Sequence, residues 1–494
     1  MIASALTDRL NDKDLVIDAA LVAGRWVKAS SSGKTFSVTN PSTGETLAQL
    51  PDMGPQEAGE AIDAAYEAQK DWAAKISKDR SAVLRRLHDL MVENVDDLAI
   101  ILTAEMGKPL AEAKGEILYG ASYVEWFAEE AKRVYGDVIP GHQGDKRIVV
   151  LKQPIGVVAS ITPWNFPNAM MARKMAPALA VGCAFVAKPA ELTPLSAIAM
   201  GVLAERAGLP KGLFSVLTTT DSAAMGKAFC SNPKVRKLSF TGSTRVGKIL
   251  MKQAADQVLR TSMELGGNAP FIVFNDADLD AAVEGAMVSK YRNNGQTCVC
   301  ANRIYVQSGV YDAFAAKLVE AVKGLQVGDG FEDGVNAGPL INKAAVEKVE
   351  AHIADATGKG AKIAAGGEPH ARGGTYFQPT VLTGVTSNMA VAREETFGPV
   401  APLFSFDDVN DVIAKANDTE FGLAAYFYAT DLAQVWRVAE ALEYGIVGVN
   451  TGIISNEMAP FGGVKQSGQG REGSKYGIDD YLEIKYVCLG GIDG

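Results

Sequence analysis

Residues 154–162 read PIGVVASIT, 163–183 read PWNFPNAMMARKMAPALAVGC and 184–188 read AFVAK. The first and last runs are short, β-branched or apolar, and bounded by proline or glycine, which marks strands. Between them 175–180 reads as helical. The same alternation extends in both directions. Downstream, 194–206 reads as helix and 213–217 and 238–240 as strands. A second series follows: strand 271–274, helix 279–291, strand 303–306, helix 311–325, and further pairs to about residue 449. Upstream, 147–151 is another strand. Residues 55–133 are rich in Ala, Glu, Lys and Leu, with Leu84, Leu87, Leu90 and Met91 at helical spacing. That segment predicts several long helices, the first opened by Pro55. Strands alternating with helices predict an α/β protein of mostly parallel sheets with helices on both faces. Two α/β layers of similar size, parting near 264–270, are the simplest arrangement.

Composition narrows the function. The chain has 494 residues, 47% hydrophobic and 21% charged, which excludes a disordered or repetitive scaffold. At roughly 150 residues per domain this length accommodates about three domains. Lys+Arg 48 against Asp+Glu 58 leaves a net charge of −10, unsuited to nucleic acid or an anionic membrane surface. Residues 1–18 lack a basic segment followed by an apolar one, so no secretory signal is expected. The apolar run 175–187 is too short to cross a bilayer. Five cysteines (Cys183, Cys230, Cys298, Cys300, Cys488) make no disulfide framework and point to a cytoplasmic protein. The four histidines are isolated from one another, so no metal is expected.

Three places could carry chemistry. Strand 238–240 runs through Thr241–Gly242–Ser243 into an apparent helix, an arrangement that presents N–H groups to a phosphate. Residues 242–248 nearly match a Walker A loop, but Ile249 stands where the magnesium-binding hydroxyl is required. A nucleotide site fits there; an NTPase does not. Lys188 and Glu191 close another strand, where they could hold ribose hydroxyls or simply form a solvated pair. Cys298 ends the polar, glycine-containing segment RNNGQTC (292–298). Cys183 and Cys230 have apolar neighbours and read as core, whereas a thiol in a polar loop suits a nucleophile. No histidine is near it in sequence. Glu264, within MELGGN (263–268), is the alternative base, since partial desolvation would raise its pKa.

Taken together, FTGS (240–243), ELGGN (264–268), GQTC (295–298), ETFGP (395–399), PWNFP (163–167) and PFGG (460–463) resemble the motif set of the aldehyde dehydrogenase superfamily, in its order and over essentially the whole chain. The resemblance implies a Rossmann-like NAD(P)-binding domain (1–135 and 155–265) and an α/β catalytic domain (266–466). It also implies a small β segment (136–154 and 480–494) that pairs subunits into a homodimer or homotetramer. Cys298 would attack the aldehyde carbon, and Asn165 with the Cys298 N–H would hold the oxyanion. Glu264 would activate water. Glu395 and Phe397 would position the nicotinamide riboside, with Trp164, Lys188, Gly242 and Ser243 in the cofactor cleft. Glu191 would accept from the ribose hydroxyls and repel a 2′-phosphate, so NAD is expected in preference to NADP.

Within the superfamily the chain most resembles the succinate-semialdehyde dehydrogenases. Arg173, Arg292 and Ser455 match that subfamily's substrate-carboxylate clamp, and guanidinium forks suit a carboxylate. GREGSKYG (470–477) and the Cys298–Val299–Cys300 pair agree with it. Cys300, two residues from the nucleophile, is a candidate redox partner. A glutarate-semialdehyde or other carboxy-aldehyde dehydrogenase is the nearest alternative, because one methylene shifts discrimination by only ~1–3 kcal/mol. A non-catalytic protein on this fold is disfavoured by the presence of Cys298, Glu264 and Asn165 together.

Overall fold

The computed structural model describes residues 2–492, so the last two residues of the expected 480–494 segment, and Met1, lie outside the described residues. Two large sheets dominate, and the chain leaves the first at strand Arg260–Glu264 to enter the second at Ala269–Val273. Five parallel strands form the centre of the first sheet, in the order Arg260–Glu264, Val235–Thr241, Val157–Ile161, Ala184–Lys188, Phe214–Val216. Antiparallel strands Gly468–Gln469 and Ala20–Val22 flank them. Strands Val157–Ile161 and Ala184–Lys188 are buried along their whole length. This is why they read as continuous apolar runs: helices cover both faces, so no face needs polar side chains.

The second sheet is likewise parallel from Thr380–Thr383 through Val400–Phe406, Ala301–Gln307, Ala269–Val273 and Ala424–Tyr428 to Ile446–Val449. Its alternating side chains feed two cores, Ile272 and Phe274 on one face, Phe271 and Val273 on the other. A third sheet, separate and antiparallel, joins Asp137–Ile139, Arg147–Pro154 and Leu482–Leu489. Its Val138, Ile484 and Tyr486 side chains are exposed.

The helical segment resolves into Pro55–Ala74, Ser77–Glu93, Val95–Met106 and Leu110–Glu130. Pro55 occupies the first turn, where Glu57 accepts from the Gly54 N–H at 2.7 Å. Two boundaries differ from the sequence expectation. The run 154–162 splits, Pro154 ending the third sheet and Val157 beginning the first. The helix expected at 175–180 is the last part of Pro167–Val181. Its start was hidden because the terminal N–H groups of Asn168 and Ala169 are capped from a distant helix, by Glu116 Oε1 at 3.0 and 3.2 Å, rather than by a local Ser or Asp. Among the described residues no helix is long and apolar enough to cross a membrane, and no His/Cys/Asp/Glu group could hold a metal.

Candidate active site

The first sheet changes direction between Val157–Ile161 and Val235–Thr241: later strands add on one side, then the chain returns to the other. Ligands bind α/β sheets at the carboxyl ends of strands beside such a switch point. The loops leaving these two strands are Thr162–Asn165 and Thr241–Ser243. Both line a cavity of about 390 Å³ that also contains Leu265, Gly266, Lys348, Glu395, Phe397 and Cys298. Ser243 caps helix Thr244–Ala255 by accepting from the Val246 N–H at 3.4 Å, so that helix directs its positive end at the cavity. Thr241 Oγ1 is buried without a hydrogen-bond partner. Trp164 and Phe397 meet edge to face, with ring centroids 5.5 Å apart. An anion-accepting helix end, an orphaned hydroxyl and an aromatic wall fit a dinucleotide with a planar ring. Phe397 holds a left-handed backbone (φ 55°), a strain of ~1–3 kcal/mol that its surroundings enforce. Lys348 donates to the Glu395 carbonyl at 2.5 Å, and the Gly267 N–H donates to Glu395 Oε1 at 3.2 Å. Burial pushes the Glu395 carboxyl up to about 7, against that N–H donor.

Lys188 and Glu191 lie one strand further along. Lys188 Nζ donates to Glu191 Oε2 at 3.0 Å and to Ser222 Oγ at 2.7 Å.

Cys298 follows a short turn in which Asn293, Asn294 and Gly295 are all left-handed (φ 52°, 53° and 76°). Asparagine and glycine tolerate that conformation best, which accounts for the NNG triplet. A Cβ on Gly295 would sit 2.2 Å from the Gly398 carbonyl oxygen, and one on Gly267 2.5 Å from the Cys298 carbonyl oxygen. The two glycines thus allow the Cys298 loop to lie directly between the 264–268 and 395–399 segments. The loop is polar but not solvated. Asn293 Nδ2 donates to the carbonyls of Asn165 (3.0 Å) and Gln296 (3.1 Å), and Asn294 Nδ2 to Gly338 (2.8 Å). Asn165 Nδ2 donates to the Gln296 carbonyl at 3.0 Å. Burial pushes the Cys298 thiol up to about 12; Arg173 and Arg292 lower it, while Glu395 and Glu264 raise it.

Glu264 is buried, with Oε2 unpartnered. Burial first, and then the neighbouring Glu472, push its carboxyl well above the usual range against Arg173, Lys174 and Arg471. Burial alone would raise Glu472 too, but Lys174 and Arg173 outweigh it and hold that carboxyl low. Both are ion-paired to it, Arg173 Nη2 at 2.8 Å from Oε2.

A second cavity, about 290 Å³, reaches Cys298 from the other side and is lined by Glu112, Gly115, Glu116, Tyr119, Phe166, Met170, Arg173, Arg292, Ser455 and Phe461 among others. The expected clamp residues thus share one wall, but their states differ. Arg173 is fully buried, paired with Glu472 and 4.0 Å from the Phe461 ring centroid. Arg292 makes no ion pair among the described residues and lies over the Phe166 ring at 5.5 Å. Cys300 does not line the cavity: it is buried, and its thiol donates to the Lys290 carbonyl at 3.3 Å.

Sequence reasoning missed the supports. Lys108 and Glu116 form a wholly buried pair at 2.5 Å, and Lys108 also donates to the Asn165 carbonyl at 2.8 Å. Both sit among the many Glu and Lys of the helical segment, and nothing in their spacing distinguishes them from solvated positions. Glu472 belongs to the 470–477 segment noted for its resemblance, so that signal was present.

The geometry defines a thiol between a dinucleotide-shaped cleft and an arginine-bearing pocket, and comparison with known proteins agrees. The aldehyde dehydrogenase family profile matches residues 26–487, and the chain belongs to that family. Glutarate-semialdehyde dehydrogenase of Pseudomonas aeruginosa is 63% identical over 98% of this chain and 100% of its own. The NADP(+) succinate-semialdehyde dehydrogenase of Escherichia coli is 62% identical over 98% of this chain and 100% of its own. The crystal structure of a Burkholderia pseudomallei succinate-semialdehyde dehydrogenase, 62% identical, superposes with a TM-score of 0.96 over 97% of this chain and 99% of its own.

Proposed function

We propose that this chain oxidises small aldehydes with an anionic far end, succinic semialdehyde first among them, to the acid. The observation that carries the reading is the Arg292 guanidinium, which makes no ion pair among the described residues and lines the cavity that reaches Cys298. An apolar wall would suit an alkyl aldehyde; a half-buried guanidinium lining the same cavity as Ser455 gains most from a carboxylate. Cys298, its thiol proton released to solvent, attacks the carbonyl carbon through Sγ as the thiolate, and the developing oxyanion is held by Asn165 Nδ2 and the Cys298 N–H. A nicotinamide dinucleotide held in the cleft by Trp164, Ser243, Glu395 and Phe397 would supply the hydride acceptor. Glu264, with Glu472 kept anionic beside it by Lys174, takes a proton from water as the thioester is hydrolysed. Its raised pKa favours that proton transfer, and its base form grows as pH rises. Glutaric semialdehyde remains the second reading, favoured by the Pseudomonas aeruginosa relative.

The cofactor preference rests on Glu191. Its carboxylate, paired with Lys188 but partly exposed, keeps lone pairs to accept from a ribose 2′-hydroxyl and repels a 2′-phosphate, so NAD is expected to give the higher kcat/KM. The E. coli relative is named for NADP(+), which makes this residue the point to test. Purified protein is assayed with NAD and NADP against succinic semialdehyde, glutaric semialdehyde and butanal, following the reduced cofactor. In Glu191→Ser the NAD preference shrinks, because Lys188 and Ser222 can then receive the phosphate. Butanal turned over as well as the semialdehydes would sink the substrate reading; a parent that prefers NADP would sink the role of Glu191.

The exposed apolar strands of the third sheet fit subunit pairing, with residues 136–154 and 480–494 as the bridging segment of a homodimer or homotetramer. The first sheet with its helices, 1–135 and 155–265, is assigned to the cofactor, and 266–466 to catalysis. Cys300 is assigned a redox role: peroxide takes two electrons from the Cys298 and Cys300 thiols and leaves as two waters, joining the sulfurs. This requires Cys300 to leave the Lys290 carbonyl. Peroxide inactivation of the parent is then reversed by dithiothreitol, and Cys300→Ala loses that reversibility; identical behaviour of the two would refute it.

A further inference from the structure

Helix Leu110–Glu130 forms one wall of the aldehyde cavity through Glu112, Gly115, Glu116 and Tyr119. Spaced three and four residues apart, these positions share one face of the helix. Gly115 is anomalous on that face. A glycine inside a helix is less favourable than alanine, so it needs a reason. Gly120, in the same helix, has one: a Cβ there would lie 2.4 Å from Asn168 Oδ1. Gly115 does not. No atom lies within 4 Å of where its Cβ would be, and its backbone is not left-handed. Neither packing nor conformation calls for glycine at this position. Gly115 is exposed, so the open space beside it lies at the solvent-facing rim of the cavity that Glu112, Tyr119 and Arg292 also line.

We propose that Gly115 determines the length of aldehyde the cavity accepts, its absent side chain making room for the far end of substrates longer than four carbons. This rests on the reading of that cavity as the aldehyde site. A side chain at 115 would project from the stripe formed by Glu112 and Tyr119 into the space which the substrate's far end must cross. Short aldehydes, whose chain ends nearer Cys298, would not reach it. The helix itself loses nothing by the change, because alanine and leucine both have a higher intrinsic helix propensity than glycine.

Gly115→Ala and Gly115→Leu are compared with the parent on propanal, butanal and hexanal, and on succinic and glutaric semialdehyde. In Gly115→Leu the hexanal-to-propanal ratio of kcat/KM falls by about tenfold or more, and the glutaric-to-succinic ratio falls in the same direction. Gly115→Ala gives a smaller change of the same sign and a Tm equal to or above that of the parent. Ratios that stay flat across chain length, whether both rates hold or both fall alike, overturn the proposal. Failure of the anionic-substrate reading appears separately, as a parent that handles semialdehydes no better than butanal, and the uncharged series still reads Gly115 in that case.

Discussion

Cys298→Ala loses aldehyde oxidation, on the order of 10⁴-fold or more in kcat, while dinucleotide binding persists. The loss is total in mechanism because no second thiol faces the cavity: Cys300 is turned to the Lys290 carbonyl. Glu264→Gln fails later. With the nucleophile and the oxyanion donors intact it forms one equivalent of reduced cofactor in a burst and then stalls, since nothing remains to take the proton from water. The protonation states give a further signature. Burial pushes the Cys298 thiol up to about 12, so in the cofactor-free protein it is almost wholly protonated at neutral pH. Alkylation of Cys298 by iodoacetamide therefore rises about tenfold per pH unit between pH 7 and 9. A rate independent of pH in that window would mean that a base already holds the thiol proton. Multiple turnovers by the alanine variant at near-parent rate would remove covalent catalysis altogether.

The second large effect separates the two arginines. Arg292→Met costs ~1.5–3 kcal/mol in transition-state binding of succinic semialdehyde, about 10–150-fold in kcat/KM, with little change for butanal. Its guanidinium lies over the Phe166 ring and has no ion pair to break among the described residues. Arg173→Met behaves differently, because Arg173 is one of two cations that hold the buried Glu472. Removing one member of a buried ion cluster costs roughly 3–5 kcal/mol, offset here in part by Lys174, so a lowered Tm accompanies the loss. Glu472 then draws protons more strongly and the field on Glu264 changes, so turnover of butanal falls as well. A purely substrate-selective Arg173→Met with parent Tm would show that Glu472 does not depend on it. Equal losses on both aldehydes in Arg292→Met would make Arg292 structural.

Much of this was legible before any coordinates. Strands such as Val157–Ile161 and Ala184–Lys188 announce themselves because a parallel strand covered on both faces has no reason to be polar, whereas the half-polar Arg260–Glu264 carries no such signal. The FTGS turn reads as a phosphate-facing helix start, since its glycine and its capping serine are local requirements met by local residues. Cys298 and Glu264 stand out for the same reason, being reactive groups set among glycines that permit close backbone approach. The start of helix Pro167–Val181 was illegible because its cap comes from Glu116, some fifty positions away. Asn293, Asn294 and Gln296 read only as part of a polar loop, and the fold buries them with hydrogen bonds to carbonyls.

The sequence by itself determined the α/β class, the family, and which side chains are the candidates for chemistry, all properties set by a residue and its near neighbours. Only the tertiary structure decided which charges are free to act. Arg173 and Arg292 are equal as letters, yet one is neutralised by Glu472 and the other is not. Lys108, Glu116 and Lys174 look like surface residues until packing removes their water. The physical reason is that electrostatic state depends on burial and on partners brought together from distant positions, and neither is encoded in local spacing.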